Sequence, residues 1–244
     1  MNRQEFWGLT GQTRWGTERE VSANKLRGLI MKSITEEQAT SLSEHFFDVH
    51  TDLLKKLLRE TDSKLEDIYS SAGDLIGFGY EKFQSLYNST LDEIEEASDC
   101  RTDFTDAIPF KLDLFNRKHC SENWFWLQVA MMDWSNAETT SDKIKEHLIL
   151  TIPPERLFLL REHFERLWSP LRELALTVDL GGCFTDDDLD DLTSHVIGLG
   201  QEAYREVMEN PKSLINYSFD HKLYLFSAIP YVNIREDNTC YIDW

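Results

Sequence analysis

"KLRGLIMKSITEEQATSLSEHFFDVHTDLL", residues 25–54, lies over "KIKEHLILTIPPERLFLLREHFERLWSPLR", residues 143–172, at a constant step of 118. In that register Leu26, Ile30, Ile34, Leu42, Glu44, His45, Phe46 and Leu53 meet Ile144, Leu148, Ile152, Leu160, Glu162, His163, Phe164 and Leu171. The likeness extends outward in both directions. Upstream, Phe6-Trp7 followed by Trp15 returns as Phe125-Trp126 followed by Trp134, at a step of 119. Downstream, "LIGFGYEKF" (75–83) lies over "VIGLGQEAY" (196–204), and Ala107-Ile108-Pro109 lies over Ala228-Ile229-Pro230, both at a step of 121. Chance matches would not keep order and spacing over the whole length. The expectation is a tandem duplication, with one copy in residues 1–119 and the other in 120–244. A linker rich in Gly, Ser or Pro is missing between them, so the copies are expected to pack as a pseudo-dimer.

The same stretch sets the fold class. Thr35 opens "TEEQ", a capping box with Gln38 at the third helical position. Behind it Leu42, Phe46, Val49, Leu53 and Leu57 recur at threes and fours, one apolar stripe of a helix. The second copy starts the equivalent helix at Pro153-Pro154, since proline is tolerated in a first turn. Its stripe is Leu157, Leu160, Phe164, Leu167, Leu171 and Leu174. Pro170 inside this helix removes a backbone donor and is expected to kink it, or split it near Trp168. A short opening helix carries each Phe-Trp pair, another covers Lys25–Ser33 or Lys143–Leu150, and a late helix runs through each Gly-x-Gly block. The prediction is an all-α architecture of eight to ten helices. Short extended segments are expected near the repeat ends, as in "KLYLFSAIPYVNI" (222–234).

Charge narrows the function. The chain of 244 residues carries a net charge of −19, with 41% apolar and 12% aromatic residues, so it is globular and not an acidic disordered tail. Residues 1–119 hold 15 Lys/Arg against 22 Asp/Glu (−7), and 120–244 hold 10 against 22 (−12). Such a balance disfavours nucleic acid, whose phosphates need clustered Lys and Arg, and it disfavours anionic membrane surfaces. Apolar runs such as Trp124–Met132 are too short for a membrane span, and the N-terminus has no export signal, so a cytoplasmic protein is expected. Cys100, Cys120, Cys183 and Cys240 are scattered without metal or disulfide spacing and read as reduced thiols.

The candidate site is "DLGGCFTDDDLDDLTSH", residues 179–195. Eight acids and no Lys or Arg lie between Glu173 and Glu202. A calcium loop starting at Asp186 fails, because Asp191 stands where the turn needs Gly and Ile197 where a bidentate Glu belongs. Thr185 as an N-cap with Asp186, Asp187 and Asp188 in the first turn accounts for most of the cluster, since a helix dipole favours negative charge there. A surface that meets a partner is the functional reading of the same residues, with Asp186, Asp187, Asp188, Asp190, Asp191 and Glu202 as its binding groups. No catalytic residue, metal ligand or cofactor is assigned. The Gly-x-Gly pairs lack the third glycine and the preceding strand of a dinucleotide fingerprint, and are read as helix-crossing points. His45 and His163 are read as helix-surface or capping residues, and Trp7, Trp15, Trp126 and Trp134 as core anchors, one of which could serve an interface.

The stretch 181–214 resembles a bacterial family of unknown function, domain of unknown function 4240. Gly181-Gly182-Cys183 with Asp186-Asp187, Gly200-Gln201-Glu202, Asn210-Pro211-Lys212-Ser213-Leu214 and the opening Phe-Trp carry the resemblance. The family's aromatic cluster is replaced here by Leu189, Leu192 and His195, and the first copy reads "TDSKLEDIYSSAG" (61–73) where Gly-Gly-Cys would stand. The resemblance implies a bacterial cytosolic protein and lends no catalytic residues.

Three functions compete. The first is an acidic protein-binding protein, in its concrete form an immunity protein that neutralises a basic bacterial toxin such as a nuclease. The second is an enzyme using the carboxylates at Asp186–Asp191 and Glu202, with or without a divalent cation. The third is a stress or scaffold protein with no discrete site.

Overall fold

The computed structural model describes residues 1–12, 23–97, 104–111, 121–132, 140–180, 185–217, 225–236 and 239–243. They fall into two compact units, one of residues 1–111 with 234–242, the other of residues 112–233. The architecture is all-α, with twelve helices among the described residues and a few short strands.

In the first unit α1 (Arg3–Gln12), α2 (Ala23–Ser33), α3 (Glu36–Glu60), α4 (Leu65–Gly77), α5 (Tyr80–Leu86) and α6 (Leu91–Ala97) precede a 3-10 turn at Thr105–Ala107 and strand β1 (Phe110–Lys111). The capping box forms as the sequence predicts. Thr35 Oγ1 accepts the Gln38 N–H at 3.2 Å, and Gln38 Oε1 accepts the Thr35 N–H at 2.9 Å. From the α3 stripe Leu42, Phe46, Leu53 and Leu57 are buried, and Val49 is half-buried. Burying a side chain such as Phe46 stabilises the fold by roughly 2–3 kcal/mol. α4 packs along α3 and meets the 3-10 turn closely: a Cβ on Gly73 would come within 2.0 Å of Thr105 Oγ1. Buried Asp74 on the next position accepts the Phe104 N–H at 2.8 Å.

In the second unit α7 (Glu122–Met131), α8 (Ser141–Ile149), α9 (Pro154–Ala175), α10 (Asp186–Gly198) and α11 (Gln201–Glu209) lead to a 3-10 segment (Pro211–Asn216). α12 (Leu225–Ala228) and strand β2 (Tyr231–Ile234) complete it. The last strand, β3 (Thr239–Asp243), joins the first unit: it runs antiparallel to β1, with Phe110 opposite Cys240 and Lys111 opposite Thr239. Arg235 fixes this return, since its guanidinium meets Asp106 at 3.0 Å and lies over the Tyr241 ring at 4.0 Å.

Several residue pairs that the sequence steps of 118–121 align make similar ring contacts. Phe6 and Trp7 meet edge-on at 5.0 Å and 69°, and Phe125 and Trp126 do so at 5.1 Å and 74°. Phe6 lies 6.0 Å from His45, and Phe125 lies 6.1 Å from His163. Trp7 packs on Phe83 at 4.8 Å, and Trp126 packs on Tyr204, the position 121 residues later, at 5.6 Å. The Ala-Ile-Pro segments are both buried; Arg27 donates at 3.1 Å to the Asp106 carbonyl just before the first, and Arg161, which is not at a matching position, donates at 3.2 Å to the Ile229 carbonyl within the second.

Two expectations need correction. No helix runs through the Gly-x-Gly blocks. α4 ends at Gly77 and α10 at Gly198, and the next helix starts after Gly79 (φ 82°) and Gly200 (φ 106°). A positive φ is cheap only for glycine, so the second glycine reverses the chain where an L-residue would extend the helix. Splitting one helix per unit also explains why the count exceeds ten. Close approach is seen at Gly79, whose Cβ would sit 3.0 Å from Gly11 Cα, and not at Gly200, where a Cβ would meet nothing within 4 Å. The second correction is that α9 does not split at Pro170; it continues unbroken to Ala175. Pro170 is on the exposed side, where water can serve the carbonyl it leaves, while Leu167 and Leu171 anchor the buried side.

Candidate protein-binding site

The predicted site is the N-terminal end of α10. Thr185 is its N-cap: Thr185 Oγ1 accepts the Asp188 N–H at 3.2 Å, and Asp188 Oδ2 accepts the Thr185 N–H at 2.8 Å. Asp188 therefore occupies the place of the Glu or Gln in a capping box, and the Thr185 hydroxyl and N–H hold its carboxyl below the ordinary carboxylate range. Leu189 and Leu192 turn inward and are buried, which forces the intervening polar positions outward.

The six predicted residues are not one cluster. Asp186 and Asp187 are exposed at the helix start, the Asp186 side chain to 84%. Asp190 and Asp191 are half-buried on the next turn. Burial raises the Asp191 carboxyl, and the neighbouring Asp187, Asp188 and Asp190 carboxylates push in the same direction. Glu202 lies elsewhere, exposed in the first turn of α11. From Asp191 to Gly198 the helix alone spans about 10 Å at 1.5 Å per residue, so Glu202 belongs to the opposite end of α10.

Sequence reasoning missed the cation of this site. Arg172, on α9, hydrogen-bonds Asp190 through Nε and stands 4.0 Å from Asp186. Hydrogen bonding and charge from Asp190, and then charge from Asp186, hold the guanidinium further in its charged form. The signal was one residue away, because the acidic stretch begins at Glu173. Trp168, one turn earlier on α9, donates its indole N–H to Thr193 Oγ1 at 2.9 Å and lies 5.8 Å from the Arg172 guanidinium. Arg172 and Trp168 thus clamp α9 to α10 and fix the direction in which Asp186 and Asp187 project.

The remaining predicted groups are structural. Trp7 and Trp126 are buried as core anchors; Trp15 and Trp134 lie outside the described residues. His45 bonds the Ser41 carbonyl on its own helix at 2.8 Å, and His163 meets Arg166 at 2.7 Å. Cys240 is buried on β3, while Cys100, Cys120 and the Gly181-Gly182-Cys183 segment lie outside the described residues. Among the described residues no three His, Cys, Asp or Glu side chains converge on a position that could hold a metal ion. Among the same residues no helix is long and apolar enough to cross a membrane.

Comparison with known proteins places this site inside a recognised sequence pattern. No curated protein and no solved structure matches the chain. The model of one family, described as a protein of unknown function (DUF4240), matches residues 121–234, a span that contains α7 through β2 and the whole α10 site. Over those residues the chain resembles the DUF4240 family.

Proposed function

We propose that the chain is an acidic protein-binding protein, built on a doubled helical module, that meets a basic partner through the start of α10. The observation that carries this reading is the projection of Asp186 and Asp187 into solvent from a capped, clamped helix end, on a chain of net charge −19. Arg172 is drawn toward Asp190 and leaves the outer carboxylates exposed. A rigid anionic face raises the encounter rate with a basic protein and selects against acidic ones. The subtype we favour is a bacterial immunity protein acting in the cytoplasm, where an acidic surface would cover the basic active surface of a toxin such as a nuclease.

The test is association kinetics with a basic protein captured by the full chain from its native host at low salt and then purified. Asp186→Lys with Asp187→Lys should slow association about tenfold at low salt, and the difference should shrink near 0.5 M salt, where the Debye length falls to roughly 4 Å. Unchanged association at low salt would remove the α10 face from the reading, and no saturable binding would remove the immunity role. A carboxylate-dependent enzyme is the second reading, favoured by one observation: Asp188 is held below the usual carboxylate range while Asp191 is raised above it. A thermal shift of the folded protein with Mg²⁺, Ca²⁺ or Mn²⁺ would support it, and none would count against a metal-assisted reaction.

A further inference from the structure

A cleft of about 510 Å³ opens in the first unit between the start of α1, the middle of α3 and α5. One wall is aromatic, made of Tyr80, Phe83 and Tyr87 on and just after α5. The polar groups that line it are Arg3, Asp52, Gln84 and Asn88. The volume is in the range that holds a small molecule, and aromatic walls with a few polar groups are the usual lining of such sites.

The rings are fixed while the polar groups are open. Phe83 is buried and meets Tyr87 at 5.3 Å and 46°, whereas Tyr80 is 41% exposed. Lys56, which does not line the cleft, donates to the Tyr87 carbonyl and lies 4.7 Å from the centre of the Tyr87 ring. Gln84 Nε2 donates to the Tyr80 hydroxyl oxygen at 2.7 Å, which leaves the Tyr80 O–H and the Gln84 carbonyl for a ligand. Arg3, Asp52 and Asn88 are exposed and make no side-chain hydrogen bond or ion pair among the described residues.

The chemistry of this lining selects a ligand class. Arg3 and Asp52 carry the only charges in it and they balance, which favours an uncharged molecule. Arg3, Asp52, Gln84 and Asn88 all end in planar groups whose two outer atoms donate or accept side by side, a geometry that matches adjacent hydroxyls. The faces of aromatic rings are negative and attract the weakly positive C–H groups of a partner. A sugar ring presents both features, with hydroxyls around its edge and C–H groups on its faces. We propose that this cleft binds a neutral pyranose sugar, stacked on Tyr80 and Tyr87, with its hydroxyls held by Arg3, Asp52 and Asn88. The second half of the chain does not repeat the lining: the sequence steps of 118 and 121 put Pro170 in the place of Asp52, Gln201 in that of Tyr80 and Met208 in that of Tyr87. The site is independent of the α10 surface, and its test can fail without affecting that reading.

The experiment titrates the full chain with maltose, cellobiose, lactose and N-acetylglucosamine, read by isothermal calorimetry and by magnetisation transfer from protein to sugar protons. At least one should bind saturably in the millimolar range or tighter, with the strongest transfer to ring C–H protons. Sorbitol, which has the hydroxyls without the closed ring, should bind at least about tenfold more weakly. The variants Tyr80→Ala and Asp52→Ala should weaken the best sugar by a similar factor. Both side chains are exposed, so the variants should fold, and circular dichroism checks that they do. No saturable binding of any of the four sugars at about 50 mM overturns the proposal. Undiminished binding by either folded variant puts the sugar elsewhere and overturns it too. Equal binding of sorbitol does the same, and that arm uses the unaltered protein, so it stands even if a variant misfolds.

Discussion

His50 should make this protein acid-sensitive well above the carboxylate range. The side chain sits at the middle of α3, wholly buried, stacked on Phe46 at 5.0 Å and edge-on to Tyr69 at 4.6 Å. Its Nε2 donates to the Tyr69 carbonyl at 2.9 Å, which fixes the neutral tautomer with the proton on Nε2. Burial lowers its pKa from 6.5 to about 4, and the Tyr69 hydrogen bond opposes that only in part. On acidification the unfolded chain takes up this proton first. Stability from this group is therefore complete above pH 6.5, is lost as pH falls toward 4, and changes no further below that. At about 1.36 kcal/mol per pH unit, the whole window is worth about 3 kcal/mol, and the part above pH 5 about 2 kcal/mol.

Urea denaturation followed by far-UV circular dichroism, at about pH 7.5 and about pH 5, measures it. His50→Gln keeps a neutral donor for the Tyr69 carbonyl and cannot be protonated. It will be less stable than the parent at neutral pH because the ring packing is lost, so the quantity that matters is the change with pH. The parent should lose about 2 kcal/mol more than the variant between the two conditions. Contributions from groups common to both proteins cancel in that difference. Glu93 and Asp188, whose carboxyls are held below their ordinary values, lose stability only at lower pH, and Asp191, whose carboxyl is raised, works in the opposite direction. Equal losses in parent and variant would refute the claim that His50 is buried neutral.

Two further outcomes concern the chain reversals and the cap. Gly79→Ala and Gly200→Ala should each destabilise by about 1–2 kcal/mol, because both demand a positive φ; Gly79→Ala should cost more, having Gly11 Cα only 3.0 Å from the new methyl. Thermal unfolding of the pair checks the order, and an equal or reversed order would count against the Gly11 contact. Thr185→Ala removes the acceptor for the Asp188 N–H and should cost about 1 kcal/mol, whereas Thr185→Ser should restore nearly all of it, again read from denaturation midpoints.

The helices were legible because their evidence is local. Thr35 and Gln38 announce a start three residues apart, and the Leu42–Leu57 stripe repeats within one element. Pro153-Pro154 likewise marks the first turn of α9, and Thr185 that of α10. The Gly-x-Gly junctions were misread because a glycine in a helical pattern has two meanings, and only the backbone angle at Gly79 or Gly200 separates them. The pairing of β3 with β1 was illegible for another reason. It joins residues 110 and 240, and neither strand is long enough to impose a pattern of period two.

The site is harder to read than the fold because charges act across elements. Counting acids along residues 173–202 finds the carboxylates but not Arg172, since the α9–α10 packing that brings it to Asp190 is absent from linear order. The same limit applies to Trp7 and Trp126. They are identical residues with nearly identical ring geometry, yet among the described residues the Trp126 indole N–H finds an acceptor and that of Trp7 does not. The difference lies one helical turn upstream, where Glu122 stands in one unit and Arg3 holds the matching sequence position in the other. Apolar contacts such as Phe6–His45 and Phe125–His163 hold both openings in place whatever charge stands beside them. The polar positions therefore change sign while the geometry of both openings is kept, and the cost falls on one buried donor, Trp7 Nε1, at about 1–3 kcal/mol for an N–H left without an acceptor.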